Sequence, residues 1–250
     1  MKNRNNIRMK KKAIVIGASS GIGREVARLL IADGWSVGVA ARREDRLQQL
    51  QAEAQPGQQV ETAGLDVTSE DAPEKLRELI KRMGGMNLFF YAPAIGKVNR
   101  ELQTDIEIAT AETNVIGFTR MIGAAYHYFA EAGEGHIAAI SSIAGTMGLG
   151  PAPAYSASKA MQATYLQALE QLINRQKQRI RITDIRPGFV DTALLTGQHY
   201  PMMLRPEKVA KEIVWAINHH KHVRIVDWRY RLLTPLWRCV PKWIWRRLPL

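Results

Sequence analysis

At 250 residues and 46% hydrophobic content, the chain is long enough for one α/β domain with a sizeable core. One cysteine, Cys239, excludes an internal disulfide and fits a reducing compartment, and no apolar run reaches the ~18–20 residues of a spanning helix. The net charge of +12 sits at the ends: residues 1–12 and 228–250 each hold six Lys/Arg and no acid, so 13–227 sums to zero and lacks the basic excess of a nucleic-acid binder.

Taken in chain order, residues 1–12 read as a disordered basic arm without the apolar stretch of a signal peptide. Apolar runs predict strands at 13–16, 35–41, 59–65, 87–91, 136–141, 180–185 and 223–227. Helical patterns fall near 21–33, 44–54, 70–83, 103–131, 153–176 and 206–219. Strand and helix alternate throughout, the pattern of a doubly wound parallel sheet with helices on both faces, in a single domain over 13–227.

The first strand runs into Gly17-Ala18-Ser19-Ser20-Gly21-Ile22-Gly23 and then a helix. A strand, a glycine turn and a helix N-terminus make an anion site, because backbone N–H groups and the helix dipole face a phosphate. The second strand ends at Ala41-Arg42-Arg43, with no acid before Glu44. A carboxylate here would suit a ribose 2′-hydroxyl, whereas an arginine fork suits a 2′-phosphate. NADP(H) is therefore expected over NAD(H), with Arg42 the first phosphate contact and Arg43 the second. The other reading makes both the start of a solvated helix.

Further along, Ser141-Ser142 precede Tyr155-Ser156-Ala157-Ser158-Lys159 by a short Gly/Pro-rich stretch. Residues four apart share a helix face, so Lys159 lies one turn beyond Tyr155. A neighbouring ammonium is expected to lower the phenol pKa and make Tyr155 a general acid/base at a carbonyl or alcohol oxygen.

The glycine turn, Asp66-Val67, Asn114, Ser142, Tyr155/Lys159 and Pro187-Gly188-Phe189-Val190-Asp191-Thr192 stand in the order of the short-chain dehydrogenase/reductase family, which the chain resembles over roughly 13–227. The resemblance implies a sheet of about seven strands with the cofactor across the strands' carboxyl ends. It implies that Tyr155 exchanges the proton, Lys159 lowers the tyrosine pKa and holds the nicotinamide ribose, and Ser142 rather than Ser141 binds the substrate oxygen. Asn114 would anchor a water linking Lys159 to solvent, or be an ordinary polar residue of a long helix. Asp66 and Val67 would lie at the adenine, with a helix-cap role the alternative for Asp66. Pro187 and Gly188 would shape the nicotinamide pocket, with Val190 and Thr192 at the carboxamide. Where the family has Asn-Asn-Ala-Gly after its fourth strand, this chain reads Tyr91-Ala92-Pro93-Ala94-Ile95-Gly96, which leaves the cofactor-side geometry near Ala92 open. A homodimer or homotetramer through the helices at 103–131 and 153–176 is also implied.

Met147, Leu149, Leu194, Leu195 and Met202 offer adaptable apolar walls, so a hydrophobic ketone or secondary alcohol is expected. No run of Arg or Lys near them suggests an acidic substrate, Arg205 apart. In the tail, Trp228, Trp237, Trp243 and Trp245 mix with basic residues, while Pro235, Pro241 and Pro249 are expected to interrupt any long helix. Such a tail fits either peripheral contact with a membrane surface or packing on its own subunit. His219-His220-Lys221-His222 lacks a neighbouring carboxylate or cysteine, so no metal site is expected. The expectation is a cytoplasmic oxidoreductase. Its alternatives are an enzyme acting at the membrane face on a lipid-linked sugar or keto-lipid, and a weakly active NADPH-binding scaffold.

Overall fold

The computed structural model describes residues 11–195 and 200–248. The basic arm therefore falls almost wholly outside the described residues, as does part of the loop after Leu195. Seven parallel strands form one sheet in the order β3-β2-β1-β4-β5-β6-β7. The strands are β1 (Lys12–Ile16), β2 (Ser36–Ala41), β3 (Val60–Gly64), β4 (Leu88–Tyr91), β5 (Glu134–Ile140), β6 (Arg179–Pro187) and β7 (Val223–Val226). The order reverses between β1 and β4, and that reversal opens a crevice beyond the strands' carboxyl ends where ligands bind in such sheets.

Period-2 alternation divides the core. Ala13, Val15, Leu88, Phe90 and Ala138 point to one face, where helices α1 (Gly21–Ala32), α2 (Glu44–Ala52) and α7 (Pro206–Asn218) cover them. Ile14, Ile16, Phe89, Tyr91 and Ile137 point to the other, under α3 (Ala72–Met83), α5 (Phe118–Ala132) and α6 (Pro153–Arg175). Strands apolar on both faces need covering on both, which is why the predicted runs are near-continuous rather than alternating.

Two segments depart from the sequence reading. The helix expected over 103–131 is α4 (Thr104–Ala111) and α5 joined by a π-helical turn, Glu112–Gly117. Such turns insert one extra residue and favour functional sites; this one carries Asn114. The tail forms two helices: α8 (Trp228–Cys239) continues through Pro235, while Pro241 separates it from the short α9 (Lys242–Trp245). Pro235 denies a bond to the carbonyl of Arg231, but Arg231 is exposed and water can serve it. Asp227 starts α8 by accepting from the Arg229 N–H at 3.1 Å.

Candidate active site

The glycine turn has the shape a phosphate needs. Gly17 and Gly21 take φ of +84° and +55°, conformations that L side chains rarely adopt. A Cβ on Gly23 would lie 2.3 Å from the Gly17 carbonyl oxygen, so only glycine lets α1 start so close to β1. One added to Gly21 would meet the Thr192 methyl at 3.2 Å, which puts Thr192 across the crevice from the turn. Ser20 and Ile22 frame the start of the helix. No side chain caps it, so its first-turn N–H groups are left for solvent or a ligand. A dinucleotide pyrophosphate fits this cradle.

The two arginines after β2 separate. Arg43 donates to the hydroxyls of Ser19 at 3.1 Å and Ser20 at 2.7 Å, and so lies over the turn itself. Arg42 is largely exposed and faces the Asp66 carboxylate at 3.9 Å. Partial burial pushes the Asp66 carboxyl up, but bonds from the Thr68 N–H and hydroxyl and the charge of Arg42 outweigh it and leave it below the usual range. Those Thr68 bonds close a local turn and cap no helix, since the next one begins only at Ala72. Val67 is buried, its carbonyl taken by Arg120 at 3.2 Å.

At the centre, Ser142 ends β5's exit and Gly145 lets the following turn touch α6: a Cβ there would sit 2.6 Å from the Lys159 backbone. The Ser142 hydroxyl accepts from the Ala144 N–H at 3.1 Å, and it acts to lower the Tyr155 phenol pKa. Ser141 instead gives its hydroxyl to Asp184, which removes it from the crevice. Gly96, after β4, is flush against the Tyr155 ring, where an added Cβ would approach to 2.4 Å. The Ala92-Pro93-Ala94 departure is accommodated. Ala92 donates to the Ile16 carbonyl at 3.0 Å, and the Asn114 carboxamide clamps Ile95 by accepting from its N–H at 2.9 Å and donating to its C=O at 2.7 Å.

Lys159 is 1% exposed and donates to the Ile140 carbonyl at 3.0 Å and to Gln162 Oε1 at 2.9 Å. Gln162, itself fully buried, turns its amide to the Asn114 carbonyl at 2.8 Å. The Asn114 backbone carbonyl is thereby linked to Lys159 through Gln162. Nothing in the sequence marked Gln162 beyond its position three residues after Lys159 on the same helix face.

The expected pull of the ammonium on the phenol is not what governs this site. Burial raises the Tyr155 phenol, with the Ser142 hydrogen bond opposing it. Burial also pushes Lys159 down to about 7, against the charge of Asp184. The reason is geometric. Nζ spends its bonds on Ile140 and Gln162 and lies 5.8 Å from the centre of the Tyr155 ring, over its face. Both groups lean towards their neutral forms, so Tyr155 carries a proton to give.

The tail closes one side of the crevice. Tyr230 is fully buried, and a Cβ on Gly188 would lie 2.0 Å from its ring. Its hydroxyl donates to the Met202 carbonyl at 3.1 Å and accepts from the Phe189 N–H at 3.4 Å. The segment Pro187–Thr192 is thereby held from behind, and Val190 pairs with Leu204 in a short parallel bridge. Of the five residues expected to wall the substrate, Met147 lines a cavity. Leu149 donates its N–H to the Ser156 hydroxyl at 3.1 Å, Leu194 and Leu195 form a short 3-10 turn, and Met202 is partly exposed. None of those four lines it.

Known proteins resemble this chain in sequence and in fold. The sequence profile described as short chain dehydrogenase matches residues 11–200. An uncharacterised oxidoreductase of Myxococcus xanthus is 37% identical over 77% of each chain, and one of Mycobacterium tuberculosis is 31% identical over 88% of this chain and 89% of its own. Among solved structures, an alcohol dehydrogenase of Thermococcus sibiricus complexed with 5-hydroxy-NADP superposes with a TM-score of 0.76 at 25% identity, covering 86% of this chain and 94% of that one. A short chain dehydrogenase/reductase of Burkholderia phymatum in complex with NAD reaches 0.82 at 18% identity over 96% of both, a likeness of fold.

Proposed function

The chain belongs to the short-chain dehydrogenase/reductase family and is an NAD(P)-dependent oxidoreductase acting on CH–OH groups; from that premise we propose that it interconverts an apolar ketone and its secondary alcohol with NADP(H) as the preferred cofactor. The observation that carries the reading is the grouping of a half-buried Tyr155 with buried Ser142 and Lys159 beside the strands' carboxyl ends.

When bound, the nicotinamide supplies or takes the hydride. The protein's own residues handle the proton. In reduction the Tyr155 phenol donates to the substrate oxygen as charge develops there, and Ser142 donates a second hydrogen bond to it. Burial raises the Tyr155 phenol and so keeps that proton in place until the transfer. Lys159, as ammonium, stabilises the phenolate left behind, and Asn114 positions Lys159 through Gln162. Arg42 and Arg43 bind the 2′-phosphate, Asp66 and Val67 lie at the adenine, and Val190 and Thr192 at the carboxamide. Neighbours complexed with 5-hydroxy-NADP and with NAD support a nicotinamide cofactor, and the choice of NADP(H) rests on Arg42 and Arg43. A steady-state assay of NADPH consumption against apolar ketones, with Tyr155→Phe as control, tests the reading.

A second reading keeps the chemistry and moves it to a membrane surface. Trp228, Leu232 and Leu236 make an i, i+4 stripe on α8 that is 59–63% exposed, joined by Trp243 on the next helix. Arg231 and Arg238 flank it. Apolar rings and leucines between cations suit an anionic lipid interface. Tyr230, Leu233 and Trp237 on the opposite face pack on the core, so α8 has the two-sided character that its prolines had argued against. Loss of vesicle binding in Leu232→Glu/Leu236→Glu is the result this reading expects. Ile108, Ile116 and Leu172, exposed on α4, the π turn and α6, support association of copies of this chain through those helices. We place the protein in the cytoplasm, free or peripheral to that surface. The scaffold alternative would show NADPH affinity without turnover.

A further inference from the structure

A cavity of about 740 Å³ is lined by Arg100, by the loop 146–151 and by the C-terminal helix. Two of these walls belong to segments that carry the reactive centre. Arg100 shortly follows Gly96, which packs against the Tyr155 ring, and Thr146, Met147 and Gly148 lie on the stretch of chain between Ser142 and Tyr155. The third wall is α9 with the residues after it. Lys242 and Arg246 are one turn apart on one face, and Trp245 lies between them. α9 is fixed over the mouth, because the Trp245 indole N–H donates to the Gly148 carbonyl at 2.7 Å and its ring meets Trp237 at 6.0 Å.

The lining has a definite chemistry. Met147, Pro151, Trp245 and Leu248 are apolar, Arg100, Lys242 and Arg246 are cationic, and no carboxylate contributes among the described residues. None of the three cations has an ion pair among the described residues, whereas Arg28, Arg186, Arg224 and Arg229 each hold a carboxylate. Three like charges brought to one cavity repel each other, and an anion there relieves that repulsion. The sequence reading found no basic cluster because its members come from positions 100, 242 and 246.

We propose that this cavity is a subsite for an anionic group, a phosphate or carboxylate, carried on an apolar stem whose carbonyl or alcohol reacts at Tyr155. The substrate is thus an anionic amphiphile: its stem lies along Met147 and Trp245, and its charge is met by Arg100, Lys242 and Arg246. The proposal rests on the oxidoreductase reading above and narrows it. The same chemistry has two sources, a substrate's own anion or the headgroup of a membrane lipid. The proposal takes the first.

The test pairs a neutral methyl ketone with the ω-oxo carboxylate and ω-oxo phosphate of matched chain length, in the full chain and in Lys242→Glu/Arg246→Glu. The ratio of kcat/KM, anionic over neutral, is expected to be about tenfold in the unaltered chain at low salt, and to collapse to about one or below in the variant. Equal ratios in both proteins overturn the subsite. In parallel, calorimetry follows monomeric dodecyl phosphate, and sedimentation follows phosphatidylglycerol against phosphatidylcholine vesicles. Binding of the monomer, weakened about tenfold in the variant, supports the subsite even without turnover. Turnover absent with every carbonyl while the monomer still binds would sink the oxidoreductase reading alone. Binding to phosphatidylglycerol vesicles with none of the monomer would assign the cations to a membrane and overturn the proposal.

Discussion

Gln162 offers the sharpest test of how the site is wired. Lys159 has two acceptors, the Ile140 carbonyl and Gln162 Oε1, and burial already holds it down near 7. Gln162→Leu conserves most of the volume and removes one acceptor. A hydrogen bond to a charged group contributes about 1.5–3 kcal/mol, and about 1.4 kcal/mol is one pKa unit. Lys159 should therefore fall by a further 1–2 units, roughly, and at pH 7 its ammonium fraction should drop from about half to about 1–10%. Gln162→Glu should act the other way, because a carboxylate at 162 favours the ammonium. The assay is the pH dependence of kcat/KM for the cofactor, which reports groups of the free enzyme. The basic limb is expected to move to lower pH in the leucine variant and to higher pH in the glutamate variant. At pH 7 the leucine variant should lose roughly 5- to 50-fold, with recovery towards pH 5. Folded variants whose limbs coincide with that of the unaltered chain would refute the argument that Gln162 sets the charge of Lys159.

Three other outcomes are expected. Gly188→Ala forces a methyl into the Tyr230 ring and should cost about 1–3 kcal/mol in urea unfolding. Arg42→Ala and Arg43→Ala should each weaken NADPH binding about tenfold or more while leaving NADH nearly unaffected, read by fluorescence titration. His136 is buried against Thr183 at 2.8 Å, and burial pushes it down to about 4. The unfolded chain binds this proton near pH 6.5, so stability is full above that value and is lost as pH falls towards 4. The loss should approach about 3 kcal/mol, and His136→Gln should flatten that slope.

Much of the fold was legible because its strands are buried on both faces and announce themselves as apolar runs, with glycines marking the first turn. Gly17, Gly21 and Gly23 could be read from spacing, since the positive φ values and the close approach at Gly23 leave no other residue. Tyr155 and Lys159 could be read because they share one helix face. Gln162 could not, since a glutamine on a helix resembles any solvated polar residue until burial is known. The π turn at Asn114 left no periodicity to see, because its one extra residue shifts the helical phase only locally. Pro235 misled for a physical reason: a proline breaks a helix where the lost hydrogen bond is buried, and here it faces water. The cationic cavity needed three distant segments brought together, and only α9 folding back over Gly148 does that.

The most direct measurement is NADPH consumption with a panel of neutral and anionic apolar ketones, with Tyr155→Phe and NADH in parallel. Turnover that prefers NADPH and falls by about 10²–10⁴ in Tyr155→Phe, with NADPH affinity retained, is the expected result. Turnover that persists in Tyr155→Phe, or NADPH binding with no turnover of any carbonyl, would contradict the account.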